Sequence, residues 1–160
     1  MIHATAVVDP AAEVDSTASI GPYVVIEGPV RVGPGCRVMS HAVLRGGTTL
    51  GARNVVHPGA VLGGEPQDMA FSGAESFLTI GDDNVFREFV TVHRGTSAGS
   101  ATVIGHRNYF MQNAHVAHNC RVGNGAIVAG GALLAGHVDL ADRAFVSGNC
   151  VVHQHVRIGR

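Results

Sequence analysis

Histidines and a glycine recur in this sequence at a spacing that could bring them together for catalysis. His118, Gly136 and Gln154 follow one another at intervals of eighteen residues, and His137 and His155 are also eighteen apart. A neutral imidazole can take a proton from a hydroxyl near pH 7, and glycine leaves its backbone N–H open to a developing oxyanion. If the fold repeats every eighteen residues, the pattern predicts acyl transfer, with His118 as general base and Gly136 as oxyanion donor.

A metal centre is the competing interpretation of these histidines. Three neutral imidazoles suit zinc, and hexapeptide carbonic anhydrases of the γ class bind a divalent ion between subunits through three histidines. Two of those histidines lie five residues apart, whereas here His106 has Met111 at that spacing and His115 and His118 are three apart. The spacing therefore predicts no metal ligand, and a metal-dependent hydratase is kept as an alternative that metal analysis would test.

The element that must position these residues is a repeat of six. Every sixth residue of the second half is apolar, and the residue two places earlier is small or narrow. This period fits neither the helix nor the ordinary strand, and it is typical of hexapeptide β-helices, in which three short strands close one coil. The apolar positions are Ile104, Phe110, Val116, Val122, Val128, Leu134, Leu140, Val146, Val152 and Ile158.

The same row of apolar positions begins at Ile2 and predicts a single all-β domain over residues 1–160. The row lapses twice, which predicts protruding loops at about 63–76 and 94–101, where a rigid solenoid could carry a site. Gly21, Gly33 and Gly51 directly follow apolar positions, and we expect them to form corners with positive φ.

Composition excludes several classes of function. Only 14% of the residues are charged and the net charge is −1, so no basic surface indicates nucleic-acid binding. We find no apolar run long enough for a membrane span and expect no secretory signal. Cys36, Cys120 and Cys150 all fall on the small interior positions, which indicates reduced packing thiols in a cytoplasmic protein.

Five motifs in this frame resemble those of the bacterial UDP-N-acetylglucosamine 3-O-acyltransferases, which perform the first acylation of lipid A synthesis. The resemblance covers essentially the whole chain, with both loops in place. The second and third motifs are the most specific, because glycine-containing hexads are shared by many acyltransferases. The motifs are Gly64-Glu65-Pro66-Gln67-Asp68, His93-Arg94-Gly95-Thr96, Asn113-Ala114-His115-Val116-Ala117-His118, Leu134-Ala135-Gly136-His137-Val138 and Val152-His153-Gln154.

The resemblance implies a homotrimer of left-handed parallel β-helices with active sites between subunits. A 3-hydroxyacyl group would pass from acyl carrier protein to the glucosamine 3-hydroxyl of UDP-N-acetylglucosamine, without a cofactor or a covalent enzyme intermediate. His118 matches the family's general base, and Gly136 matches its oxyanion donor. The residues that match substrate-contacting positions are Gln67, Asp68, His93, His115, His137 and Gln154.

The sequence departs from the family pattern in three places. Ala70 stands where the family usually has a lysine, which weakens the expected substrate anchoring. Asn119 replaces an aspartate beside the base, so we expect one means of orienting or charging the imidazole to be missing. The family continues past the equivalent of Arg160 with further coils, which hold the acyl-length determinant, and a helical domain with nucleotide-contacting arginines. The expectation is a truncated or divergent member.

Several alternatives stay open. A coenzyme A thioester could replace the carrier-protein donor, and a 3-amino sugar could replace the hydroxyl acceptor. The acyl-chain length is undetermined. A non-catalytic solenoid that serves as a scaffold or binding module is a further alternative, favoured if the folded chain binds neither UDP-N-acetylglucosamine nor acyl carrier protein.

Overall fold

The computed structural model describes residues 1–159, so Arg160, the last residue of the predicted domain, lies outside the described residues. These residues form short parallel strands that stack into three flat faces. Face 1 contains β1 (Val7–Val8), β4 (Val25–Ile26), β7 (Val43–Leu44), β10 (Val61–Gly64), β13 (Thr91–His93), β16 (His115–Val116), β19 (Leu133–Leu134) and β22 (Val151–Val152).

The other two faces follow the same order along the chain. Face 2 contains β2 (Glu13–Val14), β5 (Arg31–Val32), β8 (Thr48–Leu50), β11 (Phe77–Ile80), β14 (Ala101–Ile104), β17 (Arg121–Val122), β20 (Asp139–Leu140) and β23 (Arg157–Ile158). Face 3 contains β3 (Ser19–Ile20), β6 (Arg37–Val38), β9 (Val55–Val56), β12 (Val85–Phe86), β15 (Tyr109–Phe110), β18 (Ile127–Val128) and β21 (Phe145–Val146). Within residues 1–159 there is no helix that could cross a membrane.

The register confirms the predicted left-handed parallel β-helix. Leu134 pairs with Val152, eighteen residues on, so each hexad position lies directly above its counterpart in the coil below. The sixfold apolar residues point inward and form one continuous core, with Phe86 and Phe110 stacked at 5.0 Å between ring centroids. Each coil is therefore held by the coils on either side of it, as in other solenoids.

Three asparagines form a hydrogen-bonded ladder inside this core. Asn54, Asn84 and Asn108 are almost fully buried, one above another, at the narrow interior position of face 3. Asn84 Nδ2 donates to Asn54 Oδ1 (3.0 Å) and to the carbonyl of Gly105 (2.9 Å), so the buried amide is satisfied. The sequence predicted only a narrow side chain at Asn108, and the ladder was missed because it depends on register across the loops.

Both interruptions of the repeat are confirmed as loops, with small changes at their ends. β10 continues to Gly64, where a bulge places Gly64 opposite His93. The first loop therefore spans 65–76 and the second 94–100. Val61 pairs with Thr91 thirty residues on, and Thr91 with His115 twenty-four residues on, so the coils close normally beneath both loops.

Some predictions about single residues are wrong. Gly21, Gly33 and Gly51 do not have positive φ. Glycine is needed at these positions because the next coil is close: a methyl group at Gly33 would lie 2.5 Å from the carbonyl oxygen of Gly51. Cys36 and Cys120 are buried thiols as predicted, but Cys150 is exposed.

Positive φ occurs instead at the third residue after the apolar position, two residues after the position that these glycines occupy. It is adopted by Asn119 (59°), His137 (61°) and His155 (62°), among others. Left-handed backbone is tolerated better by asparagine and histidine than by β-branched residues. The corner between faces 1 and 2 therefore turns on residues that the sequence analysis had singled out for chemistry.

Faces 1 and 3 are mostly apolar on the outside, whereas face 2 carries charged side chains. Face 2 carries ion pairs between successive coils, including Arg31 with Glu13 (2.9 Å) and Arg157 with Asp139 (3.3 Å). The outward side chains of face 1 are Val7, Val25, Val43, Val61, Thr91, His115, Leu133 and Val151, and the later ones of face 3 are Val55, Val85, Tyr109, Ile127 and Phe145. Leu133, Phe145 and Val151 are exposed in the single chain.

Candidate active site

The corner between faces 1 and 2 brings the predicted base and the predicted oxyanion donor together. His118 follows β16, and Gly136 occupies the same corner position one coil higher. The two residues are so close that a methyl group on Gly136 would lie 2.6 Å from His118 Nε2. A glycine is therefore required at 136 if the imidazole is to keep this position.

The N–H of Gly136 is free within residues 1–159. It donates to no backbone or side-chain acceptor there, whereas the next N–H, of His137, donates to the carbonyl of His118 (3.0 Å). The backbone hydrogen-bond pattern of the β-helix needs no donor at this hexad position. Proline, which has no N–H, occupies it in other coils, at Pro10, Pro22 and Pro34. A free N–H beside an imidazole can stabilise an oxyanion while the ring moves a proton.

His118 is held from its other ring nitrogen. Its side chain is only 6% exposed, and Nδ1 lies 3.0 Å from Asn119 Oδ1. Thr96, in the second loop, donates to the same oxygen from its backbone N–H (3.2 Å) and from Oγ1 (3.0 Å). Asn119 therefore supplies the orienting contact that was expected to be missing, since an amide oxygen accepts a hydrogen bond as a carboxylate does, but it does not supply the negative charge of an aspartate.

Two further histidines line the floor of the site. His93 is buried, and its ring lies edge-on to that of His115 at 4.6 Å between centroids. Burial, followed by the imidazoles of His115 and His118 and by Arg94, lowers the pKa of His93 to about 4. Burial and His118 also lower the pKa of His115, whose Nδ1 lies 2.7 Å from Thr91 Oγ1. Both rings are therefore neutral at pH 7.

Two more histidines continue the array along the corner. His137 lies edge-on to His118 at 5.3 Å between ring centroids and stacks on His155 at 4.7 Å. Burial, then the imidazoles of His155 and His118, lowers the pKa of His137, and the nearby carboxylate of Asp68 partly opposes this. Asp68, in the first loop, is therefore the carboxylate whose charge acts on His137.

The two glutamines predicted to contact substrate are both exposed. Gln67 is exposed in the first loop, and Gln154 is exposed one coil above Gly136. Neither side chain makes a hydrogen bond within the described part of the chain. The structure thus gathers the histidines and Gly136 closely, with Asp68 in the first loop acting on His137 through its charge and both glutamines exposed.

Arg94 anchors the first loop and was not given a role from the sequence. Its guanidinium donates to the carbonyl of Gly63 (3.1 Å), lies 3.6 Å from the carboxylate of Glu65 and covers the ring of Phe71 at 5.4 Å. Arg94 and Thr96 both belong to the motif at 93–96, so this motif was the sequence signal that could have indicated a role for each.

The histidines of residues 1–159 are not arranged as a metal site within one chain. No three His, Cys, Asp or Glu side chains in this part of the chain come together as ligands for an ion. The imidazoles meet edge to face or in stacks. Nδ1 of His115 contacts Thr91 Oγ1, and Nδ1 of His118 contacts Asn119 Oδ1.

Similar proteins of known sequence point to one family. The bacterial transferase hexapeptide family, a unit of six repeats, matches residues 29–64 and 101–136. The chain is 47% identical to the acyl-[acyl-carrier-protein]–UDP-N-acetylglucosamine O-acyltransferase of Myxococcus xanthus over 99% of this chain and 62% of the relative. It is 45% identical to the protein of the same name from Agrobacterium fabrum, over 99% of this chain and 59% of the relative. The chain spans about half the length of the curated relatives it matches.

Solved structures agree with the sequence comparison. The UDP-N-acetylglucosamine acyltransferase of Francisella novicida matches all of this chain and 59% of its own, with a TM-score of 0.97 and 36% identity. The enzyme of the same name from Bacteroides fragilis matches 99% of this chain and 67% of its own, with a TM-score of 0.72 and 33% identity.

Proposed function

This chain belongs to the UDP-N-acetylglucosamine acyltransferase family, and we propose that it transfers a 3-hydroxyacyl group from acyl carrier protein to the 3-hydroxyl of UDP-N-acetylglucosamine. The observation that carries the proposal is the contact of His118 with Gly136, whose N–H is free within residues 1–159. The proposed reaction would be the first acylation of lipid A synthesis, as the sequence resemblance implies.

The chemistry requires no covalent enzyme intermediate. His118 Nε2 takes the proton of the sugar hydroxyl as its oxygen attacks the thioester carbonyl. The Gly136 N–H stabilises the oxyanion that forms on the carbonyl oxygen. The new C–O bond then persists while the C–S bond breaks, and the proton passes from His118 to the departing thiolate. Base and oxyanion donor thus act on the two ends of one addition step.

The remaining predicted residues are proposed as substrate contacts. His93 and His115 are neutral at pH 7, so they would give or accept single hydrogen bonds to sugar hydroxyls without repelling a cation. His137 lies edge-on to the proposed base, and the charge of Asp68 acts on His137, so both are proposed to contact the sugar. Gln67 and Gln154 would close over the ligand from the exposed rim.

We propose that the active protein is a homotrimer. Faces 1 and 3 carry apolar side chains outward, and a face-to-face trimer would bury exposed residues such as Leu133, Phe145 and Val151. The charged ladder of face 2 would remain in water. The histidines lie where face 1 meets face 2, so a neighbouring subunit packed on face 1 would form one wall of the site. Light scattering on purified protein would give the mass of three chains.

We place the protein in the cytoplasm. Its three cysteines are free, two of them as buried thiols and one exposed. An exposed unpaired thiol and buried reduced thiols are typical of a reducing compartment. The proposed nucleotide-sugar and carrier-protein substrates fit that compartment.

The proposal is tested by an acyl-transfer assay with 3-hydroxyacyl carrier protein and UDP-N-acetylglucosamine. General bases contribute about 10²- to 10⁴-fold to such rates, so His118→Ala should lower kcat by at least about a hundredfold with the oligomer intact. His3→Ala, an exposed histidine at the far end of the solenoid, is the matched control. Full transfer by His118→Ala would disprove the assignment.

The same assay separates the remaining alternatives. Substitution of a coenzyme A thioester, or of a 3-amino sugar, identifies the donor and the acceptor. A folded protein that binds neither UDP-N-acetylglucosamine nor acyl carrier protein would instead be a scaffold. Stoichiometric zinc, iron or cobalt in the purified protein would support a hydratase.

A further inference from the structure

The oxygen of the Asn119 side chain has an unusual concentration of partners. His118 Nδ1 lies 3.0 Å from it, and Thr96 reaches it with both its backbone N–H (3.2 Å) and its hydroxyl (3.0 Å). The backbone N–H of Asn119 is fixed as well, donating to Thr102 Oγ1 (2.8 Å). Asn119 is therefore held from two sides at the corner of its coil.

These contacts determine which tautomer His118 adopts. A backbone N–H can only donate, so the atom that faces Thr96 must be the amide oxygen and not the amide nitrogen. An oxygen at that place can only accept, so His118 Nδ1 must carry the hydrogen. The lone pair then lies on Nε2, the nitrogen beside Gly136.

We propose that Thr96 and Asn119 are positioning residues that lock His118 in the Nδ1–H form and so direct its basic nitrogen toward Gly136, without placing a negative charge beside the base. The inference rests on the proposed function for its catalytic meaning. The tautomer itself can be measured without any substrate.

In this proposal the role of the second loop is to position Thr96 beside Asn119. Gly95 N–H donates to the carbonyl of Phe77 (3.1 Å), and Ser97 N–H donates to Ser100 Oγ (3.0 Å), so the loop is a closed turn. A methyl group on Gly95 would lie 2.5 Å from the carbonyl oxygen of Ser100, which keeps this turn tight. The second loop, predicted as a place where the solenoid could carry a site, thus has a defined role in this proposal.

A neutral partner also has a consequence for the pH dependence. The titratable and charged groups that surround His118 are His115 on its own strand, His93 and Arg94 at the end of β13, and His137 in the coil above, with Asp68 beside His137. Asp68 is the one carboxylate in that set, and its charge acts on His137. An aspartate at 119 would add a charge that stabilises the imidazolium directly.

The test is the tautomer of His118, read from the ¹⁵N shifts of its ring nitrogens in the full chain at pH 8. We expect Nδ1–H in the native protein and a shift toward Nε2–H in Asn119→Gly. Asn119→Asp should keep Nδ1–H, and Thr96→Val, which retains the N–H, should give a mixture. The signals are assigned by their loss in His118→Ala.

Two internal controls accompany these variants. Asn149→Gly replaces an exposed asparagine of the same backbone conformation (φ 55° against 59°) at another corner. His106 Nδ1 accepts a hydrogen bond from the N–H of Asp82 (2.8 Å), so its ring should show the opposite tautomer in every variant. Native His118 in the Nε2–H form, or an unchanged tautomer in Asn119→Gly, would overturn the inference.

The kinetic readout follows from the same variants. In Asn119→Gly kcat should fall on the order of tenfold to a hundredfold with little change in KM, since a wrong tautomer removes base catalysis. Asn119→Asp should recover kcat while moving the acidic limb of the rate profile up by about 1 to 2 pH units. A merely structural Asn119 would give equal losses in both variants and no such movement, which would also overturn the inference. If the native chain transfers no acyl group but keeps its tautomer pattern, the proposed function fails and the positioning survives.

Discussion

Two corners of this β-helix carry polar residues at the same hexad position and use them in opposite ways. At the corner between faces 2 and 3, which we call the ladder corner (Asp82, His106, Asn124 and Asp142), each side chain accepts the free N–H of the coil below. Ala52 N–H donates to Asp82 Oδ1 (2.7 Å), Asp82 N–H to His106 Nδ1, His106 N–H to Asn124 Oδ1 and Asn124 N–H to Asp142 Oδ1 (each 2.8 Å).

At the corner between faces 1 and 2, the histidine corner (His118, Gly136, His137, Gln154 and His155), this ladder is interrupted. Gly136 has no side chain with which to accept the N–H below it, and Gln154 does not accept the N–H of Gly136 within the described residues. The same geometry therefore gives a satisfied, structural corner in one place and an open, reactive corner in the other. In this part of the chain, residues 1–159, the N–H of Gly136 is left free because Gln154 does not accept it, and the missing side chain at Gly136 leaves room for the imidazole of His118.

Adding a side chain at position 136 should have the largest effect on catalysis. In Gly136→Ala the new methyl group would lie 2.6 Å from His118 Nε2, so the imidazole must move. We expect kcat to fall by about 10²- to 10⁴-fold, the usual contribution of a general base, because the displaced imidazole can no longer take the proton, with little change in the thermal unfolding midpoint.

Gly148→Ala is the matched control for this change. Gly148 occupies the same hexad position at the third corner, and a methyl group there would approach the carbonyl oxygen of Gly130 no closer than 3.3 Å. Equal activities of the two variants would show that the openness of the histidine corner is irrelevant to catalysis.

The sequence was sufficient for the repeat but not for this contrast. The sixfold period alone identifies Val116 and Leu134 as inward residues. Because the two are eighteen residues apart, His118 and Gly136, which each follow two places later, are expected to stack. His106 and His118, however, occupy equivalent hexad positions, and only the partners of their ring nitrogens distinguish them. Those partners, Asp82 and Asn119, depend on register across loops and on backbone conformation, which the spacing does not encode.

Removing the interior support of the ladder corner should cost the most stability. Asn84 bonds the carbonyl of Gly105 at that corner and joins Asn54 to Asn108. Asn84→Ala leaves buried polar groups without partners, at about 1–3 kcal/mol for each group, and we expect a loss of about 3 kcal/mol in the free energy of unfolding. Urea titration measures it, with the exposed Gln112→Ala as control. A loss below that of the control would mean that the amide ladder contributes nothing to the fold.

The floor of the histidine corner predicts how stability depends on pH. His93 has a folded pKa of about 4, below its ordinary value of 6.5, so the native state binds fewer protons than the unfolded chain between those values. Stability is therefore complete above about pH 6.5 and is lost as pH falls through 4. Between pH 7.5 and 5 His93 should account for a decrease of about 2 kcal/mol in the free energy of unfolding.

Replacing His93 isolates that contribution. His93→Gln should flatten the pH dependence of stability over this interval, whereas His153→Gln, at an exposed position, should leave it unchanged. An equally steep dependence in His93→Gln would assign the effect to other groups.

The smallest effect concerns the counterpart of the proposed base. His106 caps the N–H of Asp82 (2.8 Å), but its side chain is 47% exposed, so water can replace much of what it provides. His106→Ala should lower the free energy of unfolding by about 1 kcal/mol or less and leave acyl transfer unchanged, the reverse of the pattern expected for His118→Ala. Loss of transfer in His106→Ala would mean that the two corners are coupled. The contrast between a corner whose backbone N–H groups are hydrogen-bonded and a corner with a free N–H would then no longer indicate where the active site lies.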